Sequence, residues 1–247
     1  MSRILTVSNI HGQYEKLQAL LNKGNYNQGV DELVLLGDYI CKGKKRQGIP
    51  VFELGRPGVK DVIPGILDDC DSLECLRYII SLQWLGVSIL LGDYEAMLLE
   101  VLEEIENGTI SHAHLQDGDD LTEVNGVALK LMSAPDAEYL VEYLKCFKEK
   151  CRIGKYIFSH AGYNPENSYE MQNSHSLLYA REDFLKRSIP DDIHVIFGHT
   201  PTRYLGCKND MIYHGKNRTG IDCGSAFGGL LGLLIINEDG TTSEIYV

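Results

Sequence analysis

Hydrophobic and polar positions follow two different periods along the first half of the chain. Three short runs rich in β-branched residues (4–12, 32–43 and 87–95) each close in Gly, Asp, Asn or His. Between them, apolar residues recur three or four positions apart in YEKLQALLNK (14–23) and LECLRYIISLQWLG (73–86), which is the helical period. The pattern predicts strands that alternate with helices, an arrangement typical of parallel sheets in layered α/β folds.

The second half of the chain is richer in strand-like runs. KYIFSHAG (155–162) and HVIFGHTPT (194–202) again end in polar residues. Four later runs joined by turn residues predict further strands in mixed or antiparallel pairing: 211–215, 219–224, 229–240 and 242–247. The acidic, weakly periodic segment 103–137 predicts a helical excursion with loops. Because no internal repeat or low-complexity linker interrupts the chain, we expect a single domain over 1–247.

Composition narrows the possible partners. The chain has 35 acidic and 23 basic residues, a net charge of −12, which disfavours bulk binding to nucleic acid or to an anionic membrane. A small phosphorylated ligand held by a few local cations stays possible. No apolar run reaches the roughly 18 residues of a membrane helix, and the first residues carry no signal-peptide pattern. Seven scattered cysteines without a CxxC pair favour a reduced, cytoplasmic protein.

Each of the five main strand-like runs ends with a side chain that can bind a metal. The carboxyl ends of strands in one sheet converge on one edge, so these side chains can meet there. They are Asn9, His11, Asp38, Asp93, His160 and His199. A single His or Asp after a strand is usually a hydrogen-bonding or capping residue, but six such coincidences favour a shared metal site. Mixed oxygen and imidazole ligands suit Mn, Fe or Zn better than Mg or Ca.

These motifs, N-x-H-G, G-D-Y-x-x-x-G, G-D-Y-E, H-A-G and G-H-T-P in this order, resemble the calcineurin-like metallophosphoesterases. The strongest resemblance is to the bacterial and phage branch of phosphoprotein phosphatases, which also contains symmetric diadenosine-tetraphosphate hydrolases. It runs from residue 4 to about 236. The resemblance implies a four-layer α/β sandwich, with two mixed β-sheets flanked by helices. It also implies two divalent cations, with manganese expected first and iron or zinc as alternatives, held by the six residues, with Asp38 between them.

Two of the metal positions depart from the family pattern. The family has Asp where this chain has Asn9, and Asn where it has Asp93. The two changes together keep the number of carboxylates, and that charge offsets the cations. Because Asn can still bind through its carbonyl oxygen, we expect metal binding to survive, with the first site weakened and the second strengthened. The alternative is chance substitution at both positions.

The acid–base pair of the family is also altered. In the family a His in the third motif pairs with an Asp in the second to protonate the leaving oxygen, and here these are Tyr94 and Cys41. A phenol with a pKa near 10 can donate a proton, but it is a weaker acid than imidazolium. Loss of a general acid typically costs about 10²–10⁴-fold in rate. With Tyr94 and Asp38 as its catalytic residues, the chain is therefore predicted to be a slow or re-specialised phosphoesterase. The alternative is a pseudophosphatase that acts as a binding or regulatory module.

Two cations are candidates for holding the phosphate of a phosphorylated protein or nucleotide substrate. Lys42 stands where the family has Arg, and Arg181 in LLYAREDF resembles the family segment L-L-W-x-R-E-x-F. The alternative for Arg181 is an exposed helix arginine. The insertion at about 44–71 leaves from the motif of Asp38, so we expect it at the rim of the site. There it could shape substrate choice, cover the site or dock a protein partner, or it could be a solvated surface loop.

Overall fold

The computed structural model describes residues 2–40, 71–109 and 122–247. Lys42, Cys41 and almost all of the predicted insertion lie outside these ranges. The strands of the described residues are β1 (Ile4–Val7), β2 (Glu32–Leu35), β3 (Ser88–Ile89), β4 (Lys150–Ile153), β5 (Tyr156–Ser159), β6 (His194–Phe197), β7 (Tyr213–Gly215), β8 (Arg218–Gly220), β9 (Gly232–Ile236) and β10 (Thr242–Tyr246). The α-helices are α1 (Tyr14–Lys23), α2 (Asp71–Gln83), α3 (Asp93–Glu106), α4 (Thr122–Met132), α5 (Ala137–Leu144), α6 (Ser174–Leu178) and α7 (Glu182–Lys186).

The strands form two mixed five-stranded sheets. The first has the order β10-β9-β1-β2-β3. In it β1, β2 and β3 are parallel to one another, and β9 pairs antiparallel with both β1 and β10. The second has the order β4-β5-β6-β8-β7, with β5, β6 and β8 parallel and both outer strands antiparallel. In each sheet, parallel strands carry their polar ends to the same edge.

Three hydrophobic cores separate four layers. Along β2, Leu33 and Leu35 pack towards the helices α1 to α5, whereas Val34 packs towards the second sheet. On β6, Ile196 faces that same inter-sheet core, and Phe197 faces a third core. This period of two is the expected pattern for strands buried on both faces. The predicted four-layer sandwich with two mixed sheets is therefore confirmed.

The predicted helices match closely where an apolar stripe defines them. Helix α1 covers the predicted residues 14–23, with Leu17, Leu20 and Leu21 buried. Helix α2 begins two residues earlier than predicted and ends at Gln83, because Gly86, at a φ of 81°, reverses the chain before β3. Within segment 103–137, helix α4 is present and residues 110–121 lie outside the described ranges.

The strands are shorter than the sequence runs that predict them. Each of the five main runs contains a largely buried strand of two to four residues, and the polar residues that close the run lie beyond that strand. Strand β4 is not predicted, because KCRI carries alternating polar residues on a sheet edge. Among the residues described here, no helix has the length and apolarity needed to cross a bilayer.

Candidate metal centre

Loops from both sheets bring the six predicted ligands together. The loops after β1, β2 and β3 supply residues from the first sheet, and those after β5 and β6 supply His160 and His199 from the second. Four side chains offer ligand atoms that all lie within 4.8 Å of one another: Asp38, Asp93, His160 and His199. Asn9 and His11 lie beside this cluster, with contacts to Asp38. The six residues thus lie together as predicted, but they follow strands of two sheets rather than meeting at one edge of a single sheet.

The backbone at these strand ends adopts an unusual conformation. Asn9, His11, Asp38 and His199 all have positive φ, at 54°, 48°, 57° and 61°. Left-handed residues other than glycine are uncommon and cluster at functional sites, where the surrounding contacts hold the strained conformation. Here those contacts include the hydrogen bond from the backbone N–H of His11 to the Asp38 carbonyl, at 2.8 Å.

Two glycines allow the second and third motif loops to touch. A Cβ on Gly37 would lie 2.4 Å from Cα of Gly92, and a Cβ on Gly92 would lie 2.2 Å from the backbone nitrogen of Asp38. Real side chains do not tolerate such distances. The glycine before Asp38 and the glycine before Asp93 are therefore required by the close approach that places the two carboxylates together.

Glu95 binds the backbone of the same two loops through its side chain. Its carboxylate is fully buried and accepts four backbone N–H groups. Oε2 accepts from Asp38 at 2.8 Å and from Gly92 at 3.1 Å, while Oε1 accepts from Tyr39 at 2.8 Å and from Ile40 at 3.1 Å. No role for Glu95 was predicted from the sequence. A Glu three residues after the N-cap position of a helix is, however, one half of the capping-box pattern, and this spacing could have identified Glu95.

Asp93, His160 and His199 have the separations expected around one cation. Asp93 Oδ1 lies 2.9 Å from His160 Nε2 and 3.3 Å from His199 Nδ1, and the two histidine nitrogens are 3.3 Å apart. Asp38 Oδ1 lies 3.5 Å from His160 Nε2. Around an ion with ligand bonds of about 2.0–2.2 Å, neighbouring ligand atoms lie about 3.0–3.5 Å apart. The donor set therefore fits a divalent cation.

The histidine ring of His160 is oriented for this task. Its Nδ1 donates to the carbonyl of Leu36 at 2.7 Å, so Nε2 is the nitrogen that faces the carboxylates. Such outer hydrogen bonds fix the tautomer of metal-binding histidines. Burial alone would lower the pKa of His160, but the hydrogen bond and charge of Asp93 raise it.

The charges at the centre oppose one another strongly. Burial, followed by the negative charges of Asp93 and Glu95, raises the pKa of Asp38 well above its ordinary value. Burial would also raise the pKa of Asp93, but hydrogen bonds from His160 and His199 hold it well below its usual range. Two carboxylates this close and this buried are stabilised by a cation, since a cation offsets their mutual repulsion.

The side-chain amide of Asn9 is turned with its nitrogen towards Asp38. Nδ2 donates to Asp38 Oδ2 at 2.8 Å and lies 3.5 Å from His11 Nε2. The amide oxygen points the other way and accepts from the Ser8 hydroxyl at 2.6 Å and from the backbone N–H of His199 at 3.0 Å. The prediction that Asn9 presents its carbonyl oxygen to a metal therefore does not match this geometry.

The other predicted site residues lie around the cluster. The ring of Tyr94 meets the ring of His11 edge-on at 5.5 Å, and its backbone N–H donates to Asp38 Oδ1 at 3.3 Å. Arg181 is exposed and directly precedes α7. It is near enough that burial and the positive charges of His160 and Arg181 together lower the pKa of His199 despite the opposing effect of Asp93.

A cavity of about 450 Å³ lies next to Arg181, and none of the six predicted metal ligands lines it. Arg181 lines it together with Tyr163, His175, Tyr179 and Arg187. Burial, followed by the negative charges of Glu100 and Asp93, raises the pKa of Tyr179 in the wall of this cavity. Sequence reasoning identified only Arg181 of this set, because the other residues follow no motif.

A family model described as calcineurin-like phosphoesterase matches residues 2–222 of the chain. The chain belongs to this family. Two curated relatives of the chain are named as symmetrical bis(5'-nucleosyl)-tetraphosphatases. The relative from Buchnera aphidicola is 28% identical over 162 residues, which cover 65% of this chain and 44% of the relative. The relative from Escherichia coli O1:K1 is 27% identical over 205 residues, which cover 80% and 56%. The chain thus spans about half the length of the curated relatives it matches.

Solved structures of other proteins share the fold of this chain. A crystal structure of a protein assigned as a diadenosine tetraphosphatase matches with a TM-score of 0.66 at 20% identity, over 99% of this chain and 93% of that one. A cold-active protein-tyrosine phosphatase from a psychrophilic Shewanella matches with a TM-score of 0.61 at 15% identity, over 99% and 80%. At these identities the likeness establishes the fold. The family and the fold predicted from the five motifs are confirmed.

Proposed function

We propose that the protein is a metal-dependent phosphoesterase. The observation that carries this proposal is the buried cluster of two carboxylates and two imidazoles, whose ligand atoms lie within 4.8 Å at the ends of strands from two sheets. When bound, a divalent cation at such a site activates water and offsets charge on a phosphoryl oxygen. Manganese is the first metal to test, followed by iron and zinc, since all three accept mixed oxygen and imidazole ligands.

The residues of the chain divide into three roles in this proposal. Asp38, Asp93, His160 and His199 hold the cation. Arg181 binds a phosphate oxygen at the mouth of the cavity, where an arginine can form two parallel hydrogen bonds. Tyr94 takes the leaving-group position, where its phenol can donate a hydrogen bond or a proton.

The cavity favours a nucleotide as substrate. Its walls combine the rings of Tyr163 and Tyr179 with two arginines, and they also contain two acidic residues: Arg181, Arg187, Glu182 and Asp183. Aromatic faces stack on bases and guanidinium groups bind phosphates, and a volume of about 450 Å³ lies within the range of small-molecule sites. The two relatives described above are named as bis(5'-nucleosyl)-tetraphosphatases. We therefore place dinucleoside polyphosphates first among candidate substrates and phosphoproteins second.

An activity panel tests the proposal. Protein purified with Mn²⁺ is assayed on diadenosine tetraphosphate, a phosphomonoester, a phosphodiester and phosphopeptides, beside His160→Ala as the inactive control. Turnover of any of these substrates by the wild type but not by His160→Ala supports a phosphoesterase. Preference for diadenosine tetraphosphate supports the proposal that the cavity binds a nucleotide. No turnover above the control refutes the enzyme proposal. Binding of the dinucleotide without turnover would instead favour the pseudophosphatase.

A further inference from the structure

We propose that this phosphoesterase binds one cation per chain, because the side-chain amide of Asn9 occupies the place of the second. The single cation is held by Asp38, Asp93, His160 and His199. The pair of cations implied by the family resemblance would require Asn9 and His11 to hold the other. The inference rests on the metal centre of the proposed function, but it concerns metal binding and does not depend on turnover.

The orientation of the Asn9 amide is fixed from both sides. The backbone N–H of His199, 3.0 Å from Oδ1, can only donate, so it requires an acceptor. The Asp38 carboxylate, 2.8 Å from Nδ2, accepts, so it requires a donor. Rotating the amide by half a turn would place N–H against N–H on one side and oxygen against oxygen on the other. Both hydrogen bonds would be lost, and the buried His199 N–H would lack its acceptor.

The inward-facing amide nitrogen cannot bind a metal ion. An amide NH₂ has two donor hydrogens and no available lone pair. The amide nitrogen lies between the two atoms that the second cation would need. It is 2.8 Å from Asp38 Oδ2 and 3.5 Å from His11 Nε2. His11 Nδ1 lies 3.1 Å from the carbonyl of Ile40, to which it donates, so Nε2 carries the lone pair that faces the amide. The amide NH₂ of Asn9 thus directs its hydrogen atoms towards two acceptors, Asp38 Oδ2 and His11 Nε2.

The charge of the centre agrees with one cation. Asp38 and Asp93 bring two negative charges, which one divalent ion balances. Asn9 is neutral, so a cation beside Asn9 and His11 would have Asp38 as its only carboxylate among these six residues, and Asp38 also belongs to the cluster that holds the other cation. Burying uncompensated charge is strongly unfavourable. The exchange of Asp and Asn between the two motifs therefore moves charge from the first position to the second, where Asp93, His160 and His199 meet.

Metal counting tests the inference directly. The full chain is loaded with excess Mn²⁺, desalted, and measured by inductively coupled plasma mass spectrometry against protein concentration. Electron paramagnetic resonance then distinguishes an isolated Mn²⁺ from an exchange-coupled pair. We expect about one Mn²⁺ per chain with the hyperfine pattern of an isolated ion. Two ions per chain, a coupled-pair spectrum, or no bound ion would each overturn the inference.

Asn9→Asp is the decisive variant, because it replaces the inward donor by an acceptor and adds one charge. We expect the count to rise from about one to about two and the coupled spectrum to appear. The matched control is Asn107→Asp, which adds the same charge at the far end of α3, roughly 20 Å from Asp93 by helical rise. It should stay at one. A count that stays at one in Asn9→Asp would refute the role assigned to Asn9.

A second variant keeps the test valid if Asn9→Asp does not fold. In the single-ion centre His11 is not a ligand, so His11→Ala should keep about one Mn²⁺ per chain with an affinity within about threefold of the wild type. His160→Ala should abolish binding. Loss of the ion in His11→Ala would contradict the inference. Failure of the enzyme proposal is distinguishable, since one bound ion with no turnover leaves this inference intact.

Discussion

Glu95 offers the sharpest test of how the fold holds the metal centre. The change is Glu95→Gln, which keeps the size of the side chain and replaces one carboxylate oxygen by an NH₂ group. The carboxylate accepts four backbone N–H groups at 2.8 to 3.1 Å, two on each oxygen. Glutamine retains one acceptor oxygen, so one pair of N–H groups must face the amide hydrogens instead.

The expected cost follows from those two donors. A buried N–H that loses its acceptor costs about 1–3 kcal/mol, so the free energy of unfolding should fall by about 2–6 kcal/mol. The metal centre should also loosen, because Glu95 fixes the backbone of Asp38 and the N-terminus of α3 that carries Asp93. By analogy with residues that orient ligands elsewhere, metal affinity should fall by about 10–100-fold.

The assay pairs two measurements on the same variants. Urea unfolding gives the stability change, and titration with Mn²⁺ gives the affinity. The control is Glu100→Gln on the exposed face of the same helix, which should change unfolding free energy by less than about 0.5 kcal/mol. If Glu95→Gln behaves like Glu100→Gln in both measurements, the four hydrogen bonds do not hold the centre and the reasoning is wrong.

Three further predictions test other parts of the molecule. Gly37→Ala should cost several kcal/mol in urea unfolding, whereas Gly29→Ala, which has a similar positive φ but nothing within 4 Å of its Cβ position, should cost only about 1–2 kcal/mol. Arg181→Ala should raise KM for a phosphorylated substrate about tenfold or more while metal affinity is unchanged; an unaltered KM would favour the exposed-arginine alternative. Burial raises the pKa of Asp31, but hydrogen bonds from Arg3 and from a backbone N–H lower it below 3.8 overall. The stability that ionised Asp31 contributes to the fold is therefore complete at pH values above its pKa in the unfolded chain. It is lost as pH falls through its pKa in the folded protein. The stability gap between wild type and Arg3→Met should accordingly shrink in urea unfolding as pH drops below about 4.

The sequence predicted those features that depend on local pattern. Helix α1 is predicted correctly because Leu17, Leu20 and Leu21 form one apolar stripe that faces the first sheet. The ligand cluster was predictable because every ligand follows a buried strand, and parallel strands end at one edge. The shortness of the strands was not predictable from hydrophobicity, since Asn9 and Asp38 leave the strand through left-handed conformations that tertiary contacts stabilise.

Two features of the site depend on contacts between distant parts of the chain. The orientation of Asn9 is set by the backbone N–H of His199, which lies 190 residues away in sequence. The role of Glu95 depends on N–H groups of Asp38, Tyr39 and Ile40, more than 50 residues earlier. Composition and spacing do not specify which atom of a side chain points inward, so these details required the three-dimensional structure.

The central position of β1 has a consequence for the order in which the chain can fold. Ile4 in β1 pairs with Ile236 in β9, so one edge of β1 has no partner until the ribosome has made residues up to 236. At about 5–20 residues per second, that interval is on the order of ten to fifty seconds. Throughout it, the apolar segment ILTV presents unpaired backbone groups to any neighbouring chain. The first sheet is completed only after β9 and β10 have been made, and both strands follow every residue of the metal centre in sequence.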